Sequence, residues 1–220
     1  MLSEIQLNTM LQLQAGMNSK VDSAWVEARY PYLRAVVIEG SEAIEHHGWK
    51  WWKKQDMDLP QLQMELIDIW HFLLSEILLR RNGNQELAQT DLQTALQNSS
   101  NNIYQFDGTD IALDELHLVD KLELLIAVSA RRKLALNVFA TIMIDCQLCW
   151  LELYRQYVGK NVLNFFRQDY GYKEGTYLKT WDGREDNEYL VEIINNLDAN
   201  EPDYQEKIYQ ALASHYPAST

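Results

Sequence analysis

Four acidic side chains stand at spacings that suit metal chemistry. Glu39 and Glu42 are three residues apart in YLRAVVIEGSEAIEHHG, and Glu65 and Asp68 are three apart in PQLQMELIDIWHFLLSEILL. Residues three apart on an α-helix share a face, so each pair sets two like charges side by side, at a cost of roughly 0.2–0.5 kcal/mol in water. The cost climbs on a packed face, and both stretches are otherwise dense in apolar residues. Twenty-two residues separate Glu42 from Glu65, room for one chain reversal. The two helices are therefore expected to run antiparallel, with four carboxylates in one groove. A hard divalent cation relieves that repulsion. Mg²⁺, with Mn²⁺ as a substitute, takes oxygen ligands and keeps positions for water and phosphate oxygens. An isolated E-x-x-E is common on solvated helix faces; the second pair and the apolar surroundings favour a metal here.

Two further segments could meet a phosphorylated ligand. Gly48–Lys54 reads GWKWWKK, three tryptophans and three lysines in an acidic chain. It reads equally as a packed aromatic turn under lysine stems or as an indole flanking a planar ligand beside phosphate-facing lysines. Lys160, Arg167, Lys173 and Lys179 punctuate KNVLNFFRQDYGYKEGTYLKTW, with Asn161, Asn164, Tyr172 and Tyr177 between them. Gly171 and Gly175 predict a flexible loop around 168–183 that closes on the ligand. His71 and Phe72 lie one turn beyond Asp68, where the far end of a ligand would sit.

The elements that must carry these residues are helical. Apolar periodicity predicts helices over 2–16, 32–47, 61–81, 113–133 and 134–159, one more after Gly159, and two near the end over 185–197 and 204–215. Pro31 and Pro60 sit where helices open, and Gly48 where one closes. Residues 82–112 are polar and predict short helix and loop, possible to move as a unit; no strand alternation stands out. The fold class is all-α, a helical bundle in a single domain spanning 1–220. The net charge of −13 argues against polymeric nucleic acid and anionic membrane as partners. Cys146 and Cys149 fall in a helical pattern and are expected to be buried, reduced core thiols, in keeping with a cytoplasmic protein.

The runs EGSEAIEHHGWKWWKK, ELIDIWHF and NFFRQDYGYKEGTYLKTWDGREDN, in that order, resemble the dimeric all-α dUTPase family, related to the MazG-like nucleoside triphosphate pyrophosphatases. The likeness spans roughly residues 10 to 195. It implies hydrolysis of dUTP, and of dUDP, to dUMP, with Mg²⁺ on Glu39, Glu42, Glu65 and Asp68 and with Glu39 directing the attacking water. It further implies base contacts from Gln14, Asn18, Trp51, His71 and Phe72, phosphate and sugar contacts from Asn164, Arg167, Tyr172, Lys173 and Lys179, and a homodimer with its site near the interface. Two alternatives stand beside it: a relative preferring dCTP or another nucleotide, since Gln14 and Asn18 could serve either pyrimidine by flipping, and a non-catalytic helical dimer that binds a nucleotide or a protein.

Overall fold

The computed structural model describes residues 2–217. Its frame is α1 (Glu4–Val21), the short α2 (Trp25–Ala28), α3 (Tyr32–His47), α4 (Leu59–Arg80), α5 (Gln85–Gln97), α6 (Leu118–Ala130), α7 (Leu136–Asp145), α8 (Trp150–Asp169), α9 (Asp186–Asn195) and α10 (Tyr204–His215). The β structure among the described residues is two small antiparallel hairpins, β1–β2 (Ile103–Phe106 with Thr109–Ala112) and β3–β4 (Thr180–Trp181 with Arg184–Glu185). The all-α expectation holds.

The central helix is α4. Asp58 caps it by accepting the Gln61 N–H, and Pro60 occupies its first turn, where a missing N–H costs nothing. Leu62, Leu66, Ile67, Ile69, Trp70, Leu73 and Leu74 are fully buried along it. At about 25 cal/mol per Å² such side chains dominate the stability of the bundle. α3 packs along α4 and α6, while α1 lies against α4, α5 and α8. α3 ends as its sequence predicts, with Gly48 at φ 83°. A Cβ there would sit 2.8 Å from the Gln55 Cβ. His46 meets Glu65 and Tyr32 lies near Glu76, so α3 and α4 run antiparallel.

Five expectations need correction. α1 does not stop at Gly16 but continues to Val21; the glycine admits Phe165, whose ring would lie 3.2 Å from an added Cβ. Residues 82–112 hold a full helix, α5, and the first hairpin. That hairpin turns on Asp107 and Gly108, both at positive φ, a pairing that suits a two-residue hairpin loop. The helix expected from 113 starts only at Leu118, after a single 3₁₀ turn at Leu113–Glu115. The helix expected over 134–159 is two: α7 stops at Asp145, Gln147 takes the left-handed conformation at φ 54°, and α8 leaves at 101°. The break separates the thiols. Cys146 is buried as expected, which pushes its pKa up to about 12, but Cys149, expected to be buried too, is exposed at the start of α8. No single helix among the described residues is long and apolar enough to cross a membrane.

Candidate functional site

The antiparallel α3–α4 pair brings Glu39, Glu42 and Glu65 together, each offering an oxygen within 4.8 Å of the others. Burial pushes Glu39 up to about 7, helped by the charges of Asp68, Glu42 and Glu65. Burial pushes Glu65 up to about 7 as well, with Asp68 and Glu42 adding and Lys160 opposing. The Glu39 and Glu65 carboxyls are close neighbours that compete for a proton. Such a pair holds a proton between two groups that would repel each other if both were charged. His46 Nε2 lies 3.3 Å from Glu65 Oε1.

Asp68 is not one of the three. Its carboxylate is held by Lys160 Nζ at 3.1 Å, from α8. The donor set fits a hard divalent cation. Oxygens on one Mg²⁺ lie at about 2.0–2.1 Å from it, so neighbouring ligands are about 2.9 Å apart and opposite ones about 4.2 Å, and the three carboxylates would draw together around the ion. The cation would also displace the proton that repulsion holds on the cluster.

Beside the cluster lies a cavity of about 360 Å³, a size that suits a small ligand. Gln14, Asn18, Tyr30, Tyr32, Glu39, Asp68, His71, Phe72, Ser75 and Asn164 line it, so it draws on α1, α3, α4 and α8. A larger hollow of about 450 Å³ lies beyond α4, against α5 and the first hairpin. Its polar groups pair with one another: Arg80 donates to Glu76 and to the Arg132 carbonyl, and Asn137 donates to the carbonyls of Asn101 and Ile103. The smaller cavity differs in keeping unpaired polar atoms in its walls.

Those atoms end a buried chain of hydrogen bonds. Gln14 Oε1 accepts from the Tyr157 hydroxyl at 2.9 Å and pairs with His71 Nδ1 at 2.9 Å. Gln14 Nε2 donates to Asn18 Oδ1 at 3.1 Å, and the Ser75 hydroxyl donates to the same oxygen at 3.2 Å. Asn18 Nδ2 and His71 Nε2 are left buried with no partner in the chain. A buried polar group without a partner costs about 1–3 kcal/mol, which a ligand supplying the partner would recover. Burial drops His71 to about 3, with Lys160 adding, so the imidazole is neutral.

The structure thus gathers Gln14, Asn18, Glu39, Asp68, His71, Phe72 and Asn164 at one cavity, with Glu42 and Glu65 alongside. It does not bring Trp51 there. That side chain is 85% exposed and stacks edge-on with Trp49 and Trp52. Lys50 lies over Trp49 and reaches Glu45, so the segment forms the aromatic turn of the first reading. His71 is twelve residues along α4 from the end of that loop, about 18 Å at 1.5 Å per residue.

The basic segment folds over the far end of α8. Arg167 grips the fully buried Asp186 through two 2.8 Å bonds, and Tyr177 donates to the same carboxylate. This gives Asp186 its role as the anchor of the loop. Lys179 pairs with Glu185, Tyr172 is half exposed, and Lys173 donates to the carbonyl of Val21 at the cavity edge.

Sequence reasoning missed Tyr157 and Ser75 and grouped Lys160 with the basic residues around the closing loop rather than with Asp68. The available signals were helical spacing: Ser75 is four residues after His71, and Tyr157, Lys160, Asn161 and Asn164 form one face of α8. A family model described as dUTPase matches residues 6–172, which takes in the carboxylates and every residue of the cavity wall. No curated protein matches the chain.

Proposed function

Since the chain belongs to the dUTPase family, and is by that membership a hydrolase of dUTP, we propose that it converts dUTP, and also dUDP, to dUMP with Mg²⁺, or Mn²⁺ in its place, held by Glu39, Glu42, Glu65 and Asp68. The observation that carries this reading is the double position of Glu39. It belongs to the carboxylate cluster and also to the cavity wall, so the phosphate chain and the cation share one boundary. A divalent cation there supplies positive charge against the oxygens of the phosphate chain.

The chain's own residues do the rest. Glu39, deprotonated once the cation is bound, can orient a water and take its proton. His71, Asn18 and Gln14 form the polar wall for a pyrimidine, and Phe72 gives it an apolar face. Asn164 reaches the cavity from α8 and suits the sugar or the first phosphate. Arg167, Tyr172, Lys173 and Lys179 take phosphate contacts as the loop closes, with Asp186 keeping the Arg167 fork oriented. Trp51 joins the base only by a swing of its loop or from a second copy, and a cytoplasmic homodimer with its site near the interface accommodates both. Residues 1–220 act as one domain.

The test is product analysis by chromatography with dUTP, dUDP and dCTP, each with Mg²⁺ and with EDTA. dUMP from the two uracil nucleotides, and none after EDTA, is the expected result. Preferred turnover of dCTP would replace the base assignment, and binding without turnover would leave a nucleotide-binding dimer.

A further inference from the structure

The cavity's two unpaired atoms differ in kind, and one tyrosine decides which kind each is. Tyr157 is fully buried on α8, with its ring 4.3 Å from the His71 ring at 33°. Its hydroxyl lies 2.9 Å from Gln14 Oε1 and 3.0 Å from the Met10 carbonyl oxygen. A phenol has one proton to give. Met10 lies inside α1, where its carbonyl already accepts the backbone N–H four residues on. That carbonyl keeps a second lone pair, but Gln14 Oε1 is the nearer acceptor and carries no backbone bond, and the proton is assigned to it.

That choice propagates. With Oε1 turned to Tyr157, the same oxygen faces His71 Nδ1, which must carry the imidazole proton. The Gln14 amide nitrogen is then the donor to Asn18 Oδ1, and the single Ser75 hydroxyl proton is shared between that oxygen and the nearer His71 carbonyl. Asn18 is left with a free N–H donor and His71 with a bare Nε2 acceptor, and both are buried. Turning Gln14 over would reverse every bond in the chain and would exchange donor for acceptor at both ends.

We propose that Tyr157 is a positioning residue: its hydroxyl proton fixes the polarity of the Gln14–Asn18–His71 chain, so that the cavity accepts the lactam edge of uracil and rejects the amidine edge of cytosine. This rests on the placement of the base in this cavity. Uracil carries an N3–H beside a carbonyl, which answer the bare His71 Nε2 and the Asn18 amide. Cytosine in the same placement sets its bare N3 against the bare Nε2 and its amino group against the Asn18 N–H. A site whose buried polar groups are left facing the wrong partner discriminates by on the order of 10²-fold or more.

The polarity is read first without ligand, on the full chain with ¹⁵N-labelled histidine, by long-range ¹H–¹⁵N correlation near pH 7. His71 is expected with the proton on Nδ1, the minor tautomer of free histidine. A proton on Nε2 would overturn the proposal whatever the variants do. Competition binding of dUMP and dCMP then reads the selectivity. Wild type is expected to favour dUMP by about 100-fold. Tyr157→Phe keeps the ring and is expected to cut that ratio about tenfold, to raise KM for dUTP with kcat nearly unchanged, and to admit the second His71 tautomer. Equal weakening of both nucleotides, with the ratio intact, would reduce Tyr157 to packing and overturn the proposal. If dUMP leaves the His71 nitrogen shifts unmoved, the base placement fails, while the tautomer result still reports the polarity by itself.

Discussion

The metal-free cluster should make the protein lose stability as pH rises. Glu65 is the clearest group, with a side chain only 10% exposed and a pKa pushed from 4.5 up to about 7. A raised folded-state value means the folded protein binds the proton more tightly than the unfolded chain. The stabilisation is complete below about pH 4.5 and is lost as pH rises through about 7. A shift of about two and a half units is worth about 3 kcal/mol. Glu39 shares the proton and is not counted a second time. For a chain of this size that is roughly 7 °C in melting temperature. The assay is thermal unfolding in EDTA between pH 5 and 8, for wild type and Glu65→Gln. Wild type should lose about 7 °C relative to the variant across that window, and saturating Mg²⁺ should reverse the trend by binding the deprotonated cluster. Parallel pH profiles for the two proteins would refute the reasoning, because the carboxylates would then carry no shared strain.

Further predictions probe the residues around the cluster and the frame. Lys160→Met removes the cation on Asp68 and leaves the cluster more negative, so Mg²⁺ affinity measured by calorimetry should rise roughly tenfold; unchanged or weaker binding counts against Lys160 as its counter-charge. Asp186→Ala strands the buried Arg167 fork and should cost about 3–5 kcal/mol in urea unfolding; a loss below about 1 kcal/mol would show the pair to be dispensable. Gln147→Gly relieves a left-handed residue at the α7–α8 turn and should stabilise by about 1 kcal/mol; destabilisation would contradict that backbone.

The parts of the fold that announce themselves are those with punctuation. α3 spans Tyr32–His47 because Pro31 opens it, Gly48 closes it, and apolar spacing fills the interior. α10 matches its periodicity over Tyr204–His215 in the same way. The α7–α8 break is silent because Ile142, Met143, Leu148 and Leu153 keep an apolar pattern running through it, and the residue that turns the chain is Gln147 rather than glycine. That hidden break had a cost at the site. Read as one helix ending near Gly159 and another beginning after it, the stretch put Lys160 and Asn164 on a different helix from Tyr157, and the three did not share a face. The carboxylates were legible because like charges on apolar helices demand a reason. The polar chain behind them was not, since nothing in sequence marks Tyr157 out from the other eleven tyrosines. The hairpin had a signal in Asp107-Gly108, but four-residue strands are too short for alternation to show.

The account stands on metal-dependent hydrolysis at the Glu39–Glu42–Glu65 cluster. The direct measurement is dUMP formation from dUTP by wild type and Glu42→Gln, each in EDTA and after Mg²⁺ is restored, with helicity followed by circular dichroism. Wild type should be silent in EDTA and recover with Mg²⁺, while Glu42→Gln stays folded and silent throughout. Turnover that survives EDTA, or a Glu42→Gln enzyme with near-normal kcat, would contradict it.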